Sequence, residues 1–224
     1  PVHAGRCPRK EGESLALLIF DLDGTLVDSA ELTVAAVTDV FGRFPGLDCP
    51  SRETIVDTFG LSERDMWRRL MPAGTEEERR RGASLYDETI VRYLERSDVL
   101  LPHVVEVLRE LKASGHRLTT ASNCDAPYLN AVLDSQRIRG FFEHPLCLGM
   151  VGGGVKADIL AVHFERFGKA DAWMIGDRSS DMEAARAHGI PAIGCAFGFG
   201  GPGELDGAAR RITSLLQLLE MDWS

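Results

Sequence analysis

The chain has 224 residues, of which 25 are basic and 34 acidic, so its formal net charge at neutral pH is −9. At roughly 150 residues per domain, this length allows one or two domains with a substantial core. The hydrophobic fraction of 44% and the charged fraction of 26% are typical of globular proteins and exclude disordered and collagen-like classes. The acidic balance argues against nucleic acid as a partner, because phosphate backbones bind basic surfaces.

The sequence favours a cytoplasmic protein with no membrane partner. Its longest apolar run, residues 15–20, is far shorter than the roughly 18 residues that a membrane span needs. Residues 1–14 are polar and are expected to form a disordered leader. The cysteines are odd in number and widely spaced, so neither a disulfide framework nor a zinc site is expected. They are Cys7, Cys49, Cys124, Cys147 and Cys195.

The first predicted strand, residues 15–20, is followed directly by a helical block. The strand is apolar and runs into Asp-Leu-Asp-Gly, which indicates a buried strand that ends in a turn. Four helices are then predicted with no strand between them. The first covers residues 30–44, and the others begin near Ser51, Ser62 and Thr75, the last with a capping-box Glu78.

From residue 101 onward, helices and strands alternate. Single helices between strands imply a parallel, doubly wound α/β sheet, so we expect a sheet core formed by residues 15–28 and 99–224 and an inserted all-helical cap domain, residues 29–98. The remaining strands are predicted at 117–121, 146–148, 172–175 and 190–196, with helices at 104–113, 127–133, 157–167, 180–188 and 213–219.

Polar residues follow several of these strands, and the carboxyl ends of parallel strands share the edge of the sheet where ligands bind. Asp21 and Asp23 lie two residues apart after the first strand, so their side chains project the same way. Asp177 and Asp181 form a second pair. An isolated Asp-x-Asp is usually a solvated turn, but the second pair favours a metal site. Carboxylates without histidine or cysteine favour Mg²⁺.

Three further residues at this edge are candidates for binding a phosphate. Ser122 and Asn123 follow the second strand, where hydroxyl and backbone N–H groups can hold an anion, although most such pairs only form turns. Lys156 precedes a helix, where a cation opposes the helix dipole unless an anion lies nearby. A solvated surface lysine is the alternative.

Four motifs in this order resemble those of the haloacid-dehalogenase-like hydrolases. The first is Phe-Asp-Leu-Asp-Gly-Thr-Leu-Val-Asp-Ser from residue 20, and the fourth is Gly-Asp-Arg-Ser-Ser-Asp from residue 176. Ser122 resembles the second motif and Lys156 the third, although the residue after this lysine is often Pro and is Ala157 here. The resemblance implies a Rossmann-like core with a type-1 helical cap. Three features are similar to the phosphoglycolate phosphatase and 5′-nucleotidase-like branch: the Gly-Asp-Arg-x-x-Asp motif, the Gly-Phe-Gly loop at residues 198–200 and the stretch at residues 204–208.

The family resemblance implies a role for each motif residue. Asp21 would attack phosphorus and form an aspartyl phosphate, and Asp23 would be the general acid and base. Ser122, the Asn123 N–H and Lys156 would bind the phosphoryl group. Mg²⁺ would be held by the carboxylates of Asp21 and Asp177 and by the backbone carbonyl of Asp23. Asp181 would be a ligand through water or would orient the other ligands.

The predicted activity is therefore a Mg²⁺-dependent phosphatase acting on a small phosphorylated metabolite, phosphoglycolate-like or a 5′-nucleotide monoester. Asp23 suits phosphate esters, since family members that cleave other bonds differ at that position. One alternative is a phosphomutase of the β-phosphoglucomutase type acting on a sugar phosphate. A non-enzymatic phospho-receiver domain is a further alternative. Either a monomer or a homodimer is compatible with the sequence.

Substrate selectivity is expected to come from cap residues that face the core, around residues 60–68 or at the hinge formed by Asp28 and Ser29. Arg64 and Arg68 are candidates to contact a substrate carboxylate, although arginines at such positions are more often solvent exposed. The segment from Gly198 to Gly203 spells G-x-G-x-x-G but follows the last strand, which is the wrong context for a dinucleotide site. It is predicted to be a loop without a nucleotide.

Overall fold

The computed structural model describes residues 15–152 and 154–223, and its centre is a six-stranded parallel sheet. The expected leader at residues 1–14 lies outside the described residues. The strand order is β3-β2-β1-β4-β5-β6, which confirms the predicted doubly wound α/β sheet. The strands are β1 (Leu17–Phe20), β2 (Arg117–Ser122), β3 (Leu146–Cys147), β4 (Ala172–Gly176), β5 (Ala192–Cys195) and β6 (Arg210–Ile212).

Four helices lie within residues 29–98, as the sequence predicts. Ser51 and Ser62 each accept a backbone N–H at a helix start, and Thr75 and Glu78 form the predicted capping box. These caps satisfy N–H groups that a helix leaves without partners in its first turn. The helices are α1 (Ala30–Phe41), α2 (Arg52–Val56), α3 (Glu63–Leu70) and α4 (Glu76–Leu94).

The remaining helices flank the sheet. Among the described residues, no helix has both the length and the apolar character that a membrane span requires. The expected closing α-helix is wrong in type, because Leu215–Glu220 is a 3₁₀ helix. The α-helices are α5 (Val104–Ala113), α6 (Ala126–Ser135), α7 (Leu148–Val151), α8 (Lys156–Phe167) and α9 (Ser179–His188), and Arg139–Phe141 is a further 3₁₀ turn.

Two apolar clusters cover the two faces of the sheet. Side chains of a strand alternate between faces, and accordingly Leu18 and Phe20 of β1 pack into one cluster while Leu17 and Ile19 pack into the other. The first cluster includes residues of α1, α4, α5 and α6, and the second includes residues of α8 and α9. Burial on both faces explains why β1 is a continuous apolar run rather than an alternating one.

The two chain segments that connect residues 29–98 to the sheet run side by side. Val27 and Leu100 form an antiparallel bridge, and the backbone N–H of Asp28 donates to the carbonyl of Val99 at 2.8 Å. The helical block therefore leaves and rejoins the rest of the fold at one place. That place follows the loop at the carboxyl end of β1, so the block adjoins the edge of the sheet that carries the candidate site.

Candidate active site

The sheet brings the first candidate residues together at its carboxyl edge. Asp21 follows β1, Ser122 ends β2 and Asp177 follows β4, and β1 lies between the other two strands. The backbone N–H of Asp21 donates to the carbonyl of Ile175 at 2.8 Å, which continues the β1–β4 pairing one residue beyond the strand. The positions of these side chains are thus fixed by the register of adjacent central strands.

Three buried carboxyl groups converge at this edge. One oxygen each from Asp21, Asp177 and Asp181 lies within 4.8 Å of the others. Asp181 comes from the first turn of α9, and all three side chains are buried. The side chain of Asp23 lies outside this group of three. Its expected contact with a metal was through the backbone carbonyl, and that contact stays a prediction.

Lys156 is the cation of this cluster. It is the first residue of α8, its side chain is 1% exposed, and its Nζ lies 3.0 Å from Asp21 Oδ1 and donates to Asp181 Oδ1 at 2.5 Å. Burial alone would lower the pKa of Lys156, but the carboxylates of Asp181 and Asp21 raise it above its usual value, so the ammonium stays charged. The alternative of a solvated surface lysine is wrong.

One lysine does not balance three carboxylates. Burial, together with the neighbouring Asp21 carboxylate, raises the pKa of Asp177 to about 8 and that of Asp181 to about 7. The cluster is therefore short of positive charge. Its ligand atoms are all oxygens, which is the donor set that Mg²⁺ prefers. The residues present thus fit a magnesium ion.

The glycine-rich loop after β5 holds Asp177, a role that the sequence did not reveal. The backbone N–H of Phe199 donates to Asp177 Oδ2 at 2.7 Å, and Thr25 Oγ1 donates to Oδ1 at 3.3 Å. A methyl group added at Gly198 would lie 2.4 Å from the Asp177 Cβ, so only glycine fits there. The sequence feature that could have indicated this role is the Gly-Phe-Gly segment at the carboxyl end of a predicted strand. The prediction of a loop is confirmed.

Asp23 sits in a different environment from Asp21. Its Oδ1 accepts hydrogen bonds from Ser29 Oγ and from Tyr128 OH. Burial raises the pKa of Asp23 to about 6, although these two hydrogen bonds oppose the rise. A carboxyl group with a pKa close to neutrality is suited to both donating and accepting a proton. The sequence reasoning missed Tyr128, which lies 105 residues away along the chain.

Asn123 links the sheet edge to the helical block. Its Nδ2 donates to the carbonyl of Gly60 at 2.6 Å, and the Phe59 and Phe199 rings lie 4.7 Å apart between centroids. Ser122 is buried directly before it, and Ser122 Oγ accepts the N–H of Cys124 at 3.4 Å. The block thus contacts the edge of the sheet close to the proposed phosphate-binding residues.

Five of the candidate residues line one cavity, which lies between the sheet edge and the helical block. Its empty volume is about 710 Å³, including the part open to solvent. Neither Arg64 nor Arg68 lines it: Arg68 is exposed and lies 3.7 Å from Asp65 and 3.8 Å from Glu76. Of the predicted site residues, the cavity walls include Asp21, Asp23, Ser122, Asn123 and Lys156.

Comparison with known proteins places the chain in a family. Residues 18–195 match the haloacid dehalogenase-like hydrolases. A phosphoglycolate phosphatase from Shigella dysenteriae is 30% identical over 216 residues, covering 84% of this chain and 83% of the relative. A phosphoglycolate phosphatase from Salmonella typhimurium is 31% identical over 212 residues, covering 80% and 81%.

Solved structures show the same fold. A haloacid dehalogenase-like hydrolase from Streptococcus pneumoniae is 24% identical with a TM-score of 0.80, covering 92% of this chain and 97% of that one. A predicted phosphoglycolate phosphatase from Haemophilus somnus gives 0.81 at 20% identity with the same coverage. The chain therefore belongs to the haloacid dehalogenase-like hydrolases, among the phosphatases of that family.

Proposed function

We propose that this protein is a Mg²⁺-dependent phosphomonoesterase that works through an aspartyl phosphate on Asp21. The supporting observation is the convergence of Asp21, Asp177, Asp181 and Lys156 in one buried group beside a small-molecule cavity. A nucleophilic carboxylate, a set of oxygen ligands and a fixed cation are the parts that phosphoryl transfer requires.

The two aspartates of the first motif have different roles in the reaction. An oxygen of Asp21 attacks phosphorus, and the bond from phosphorus to the leaving oxygen breaks. Asp23 gives its proton to that oxygen and then takes a proton from the water that hydrolyses the aspartyl phosphate. Its raised pKa and its fixed contacts with Ser29 and Tyr128 suit this exchange.

The remaining site residues hold the transferring phosphoryl group. Lys156, Ser122 and the Asn123 N–H would donate to its oxygens, where most of the catalysis of phosphoryl transfer resides. The side chains of Asp21, Asp177 and Asp181, with the Asp23 carbonyl, would hold the metal. When bound, Mg²⁺ supplies positive charge to the phosphoryl oxygens.

The substrate in this proposal is a small phosphorylated metabolite. Similarity to proteins named phosphoglycolate phosphatase makes a phosphoglycolate-like ester one candidate class, and the sequence motifs add 5′-nucleotide monoesters. The helical block at residues 29–98 is proposed as a cap domain over the core domain, residues 15–28 and 99–224. Its contact with Asn123 through Gly60 supports this assignment.

We further propose that the enzyme acts in the cytoplasm, without a nucleic-acid or membrane partner, as a monomer or homodimer. Free thiols at all four described cysteines are consistent with a reducing compartment. The net charge of −9 is unfavourable for binding a phosphate backbone or an anionic membrane surface.

The decisive experiment measures Mg²⁺-dependent release of p-nitrophenol from p-nitrophenyl phosphate. Asp21→Asn should reduce turnover by roughly 1,000-fold or more, because an amide is a poor nucleophile. Asp48→Asn removes the same charge at an exposed position outside the cavity and should leave turnover unchanged. Full turnover by Asp21→Asn would refute the aspartyl-phosphate mechanism.

A further inference from the structure

The substrate cavity is lined by a second group of three carboxyl side chains, which the phosphatase chemistry does not use. One oxygen each from Glu63, Asp87 and Asp125 lies within 4.8 Å of the others. Glu63 begins α3, Asp87 belongs to α4, and Asp125 precedes α6. The group is therefore assembled from both the helical block and the sheet domain, around the cavity that opens onto Asp21.

No cation balances this second group. Within residues 15–152 and 154–223, none of the three carboxyl groups forms an ion pair. The two cationic side chains of the cavity wall are already engaged: Lys156 pairs with Asp21 and Asp181, and Arg178 lies 3.3 Å from Glu204. The carboxyl groups consequently repel one another unless they bind a proton or a cation.

The protonation equilibria reflect this missing charge. Burial and the adjacent Asp125 raise the pKa of Glu63 to about 8, and burial raises that of Asp87 to about 6. Without a ligand, the group therefore retains a proton near neutral pH. A cationic ligand would replace this proton and balance the negative charge of the three carboxyl groups.

A buried acceptor atom in the same cavity wall also lacks a partner. Asn123 Oδ1 is buried and accepts no hydrogen bond from the described residues, while Nδ2 of the same amide is fixed on the Gly60 carbonyl. Two hydroxyl groups of the wall are already used as donors, since Tyr128 donates to Asp23 and Thr58 donates to the Ile55 carbonyl. Asn123 Oδ1 is thus an acceptor without a donor in the described part of the chain, and a buried acceptor of this kind is costly unless a ligand supplies the donor.

We propose that the leaving group of the substrate carries a protonated amine, bound by Glu63, Asp87 and Asp125. This inference rests on the proposed phosphatase function and specifies its substrate class as phosphate monoesters of amino alcohols. An ammonium ion supplies both positive charge for these three carboxyl groups and an N–H donor for Asn123 Oδ1. A leaving group that ends in a carboxylate, as in phosphoglycolate, would meet like charge and unpaired acceptors.

The test compares kcat/KM for unbranched alkyl phosphates of two to five carbons, in which only the end group differs. Each length is assayed with a terminal ammonium, methyl or carboxylate group, with p-nitrophenyl phosphate as the reference substrate. At the best length, the ammonium ester should exceed the methyl ester by about tenfold or more, and the carboxylate ester should fall below it. Equal rates for the three end groups, or a preference for the carboxylate at any length, would overturn the proposal.

A matched pair of variants assigns the preference to the acidic group. Asp87→Asn should reduce the ammonium-to-methyl ratio by about tenfold, whereas Glu88→Gln neutralises the next residue of α4, exposed and outside the cavity, and should preserve it. Because the measured quantity is a ratio, a general loss of folded enzyme does not change it. An unchanged ratio in Asp87→Asn would overturn the assignment.

The two proposals fail in different ways. If neither p-nitrophenyl phosphate nor any alkyl ester is hydrolysed in the presence of Mg²⁺, both the phosphatase function and the substrate class are wrong. If the reference ester is hydrolysed without an ammonium preference, only the substrate class is wrong.

Discussion

Asp177 shows how tightly the backbone fixes a single proposed metal ligand. Its carboxylate accepts the N–H of Phe199, and a methyl group at Gly24 would lie 2.2 Å from its Oδ2. Gly24 also has a φ of +75°, a conformation that side chains rarely adopt. The glycines around this carboxylate are therefore required for its position.

Gly198→Ala should weaken metal binding by displacing Asp177. The added methyl group would lie 2.4 Å from the Gly24 carbonyl oxygen and 2.5 Å from Asp177 Oδ2, so the carboxylate or the loop must shift. Loss of such a supporting contact typically costs 10- to 100-fold in metal affinity or activity. We expect the Mg²⁺ concentration for half-maximal activity to rise by about tenfold or more, measured by phosphate release.

Gly201→Ala is the matched control for Gly198→Ala. It lies in the same loop, but an added methyl group there contacts nothing within 4 Å. Its Mg²⁺ requirement should equal that of the unmodified enzyme. A similar rise in both variants would mean that general stiffening of the loop, rather than the position of Asp177, controls metal binding.

The sequence predicts the site residues that stand at the end of an apolar strand. It does not predict the residues that hydrogen-bond to them. Asp21, Ser122 and Asp177 each stand at the end of an apolar strand, so the parallel sheet alone brings them together. Phe199 contributes only its backbone N–H, for which any residue type serves. Tyr128 meets Asp23 through the packing of α6, which has no local signal in the sequence.

At the scale of elements, the positions where helices begin are the most accurate predictions. α5 was placed at its observed bounds, and the capping residues of α2, α3 and α4 were correct. β6 was missed because it consists of two exposed arginines and a buried Ile212, with too little alternation to identify a strand. The G-x-G-x-x-G spacing identified a loop, but the contact of that loop with Asp177 depends on the distant end of β4.

The stability of the fold depends on pH through His163, a residue of α8 where this helix packs on β2. This side chain is buried, and its Nε2 lies 2.8 Å from the Thr120 carbonyl oxygen. Burial lowers the pKa of His163 to about 4 from an ordinary value of 6.5. Because the folded state disfavours the protonated ring, the stability contributed above pH 6.5 is lost as the pH falls toward 4.

His163→Gln removes this titration while retaining an amide donor. The unmodified protein should be the more stable at pH 7, and its advantage in the free energy of unfolding should decrease by up to about 3 kcal/mol by pH 4. Urea unfolding at several pH values measures this difference. His103→Gln, at the exposed start of α5, is the control. If the difference in the free energy of unfolding between the unmodified protein and His103→Gln fell by the same amount from pH 7 to pH 4, the assignment to His163 would be contradicted.

At the scale of the whole molecule, several acidic side chains meet where the helical block contacts the sheet edge. The cavity wall includes five carboxyl groups and two cations, and the buried Asp177 and Asp181 lie directly behind it. The net charge of −9 appeared unfavourable for an anionic substrate. The structure resolves this conflict locally, because the phosphate would contact Lys156 and a metal rather than the surface charge.

Mg²⁺ should therefore stabilise the whole fold, because it binds carboxylates that repel one another in its absence. A ligand at about 100 times its Kd stabilises the folded state by about 2.7 kcal/mol, which corresponds to a rise in Tm of roughly 5–10 °C for a chain of this size. Thermal unfolding in Mg²⁺ and in EDTA measures this shift. Asp177→Asn should abolish most of it, whereas Glu110→Gln, which removes an exposed charge on α5, should retain it. An equal shift in both variants would place the stabilising ion elsewhere on this acidic protein, away from the group formed by Asp21, Asp177 and Asp181.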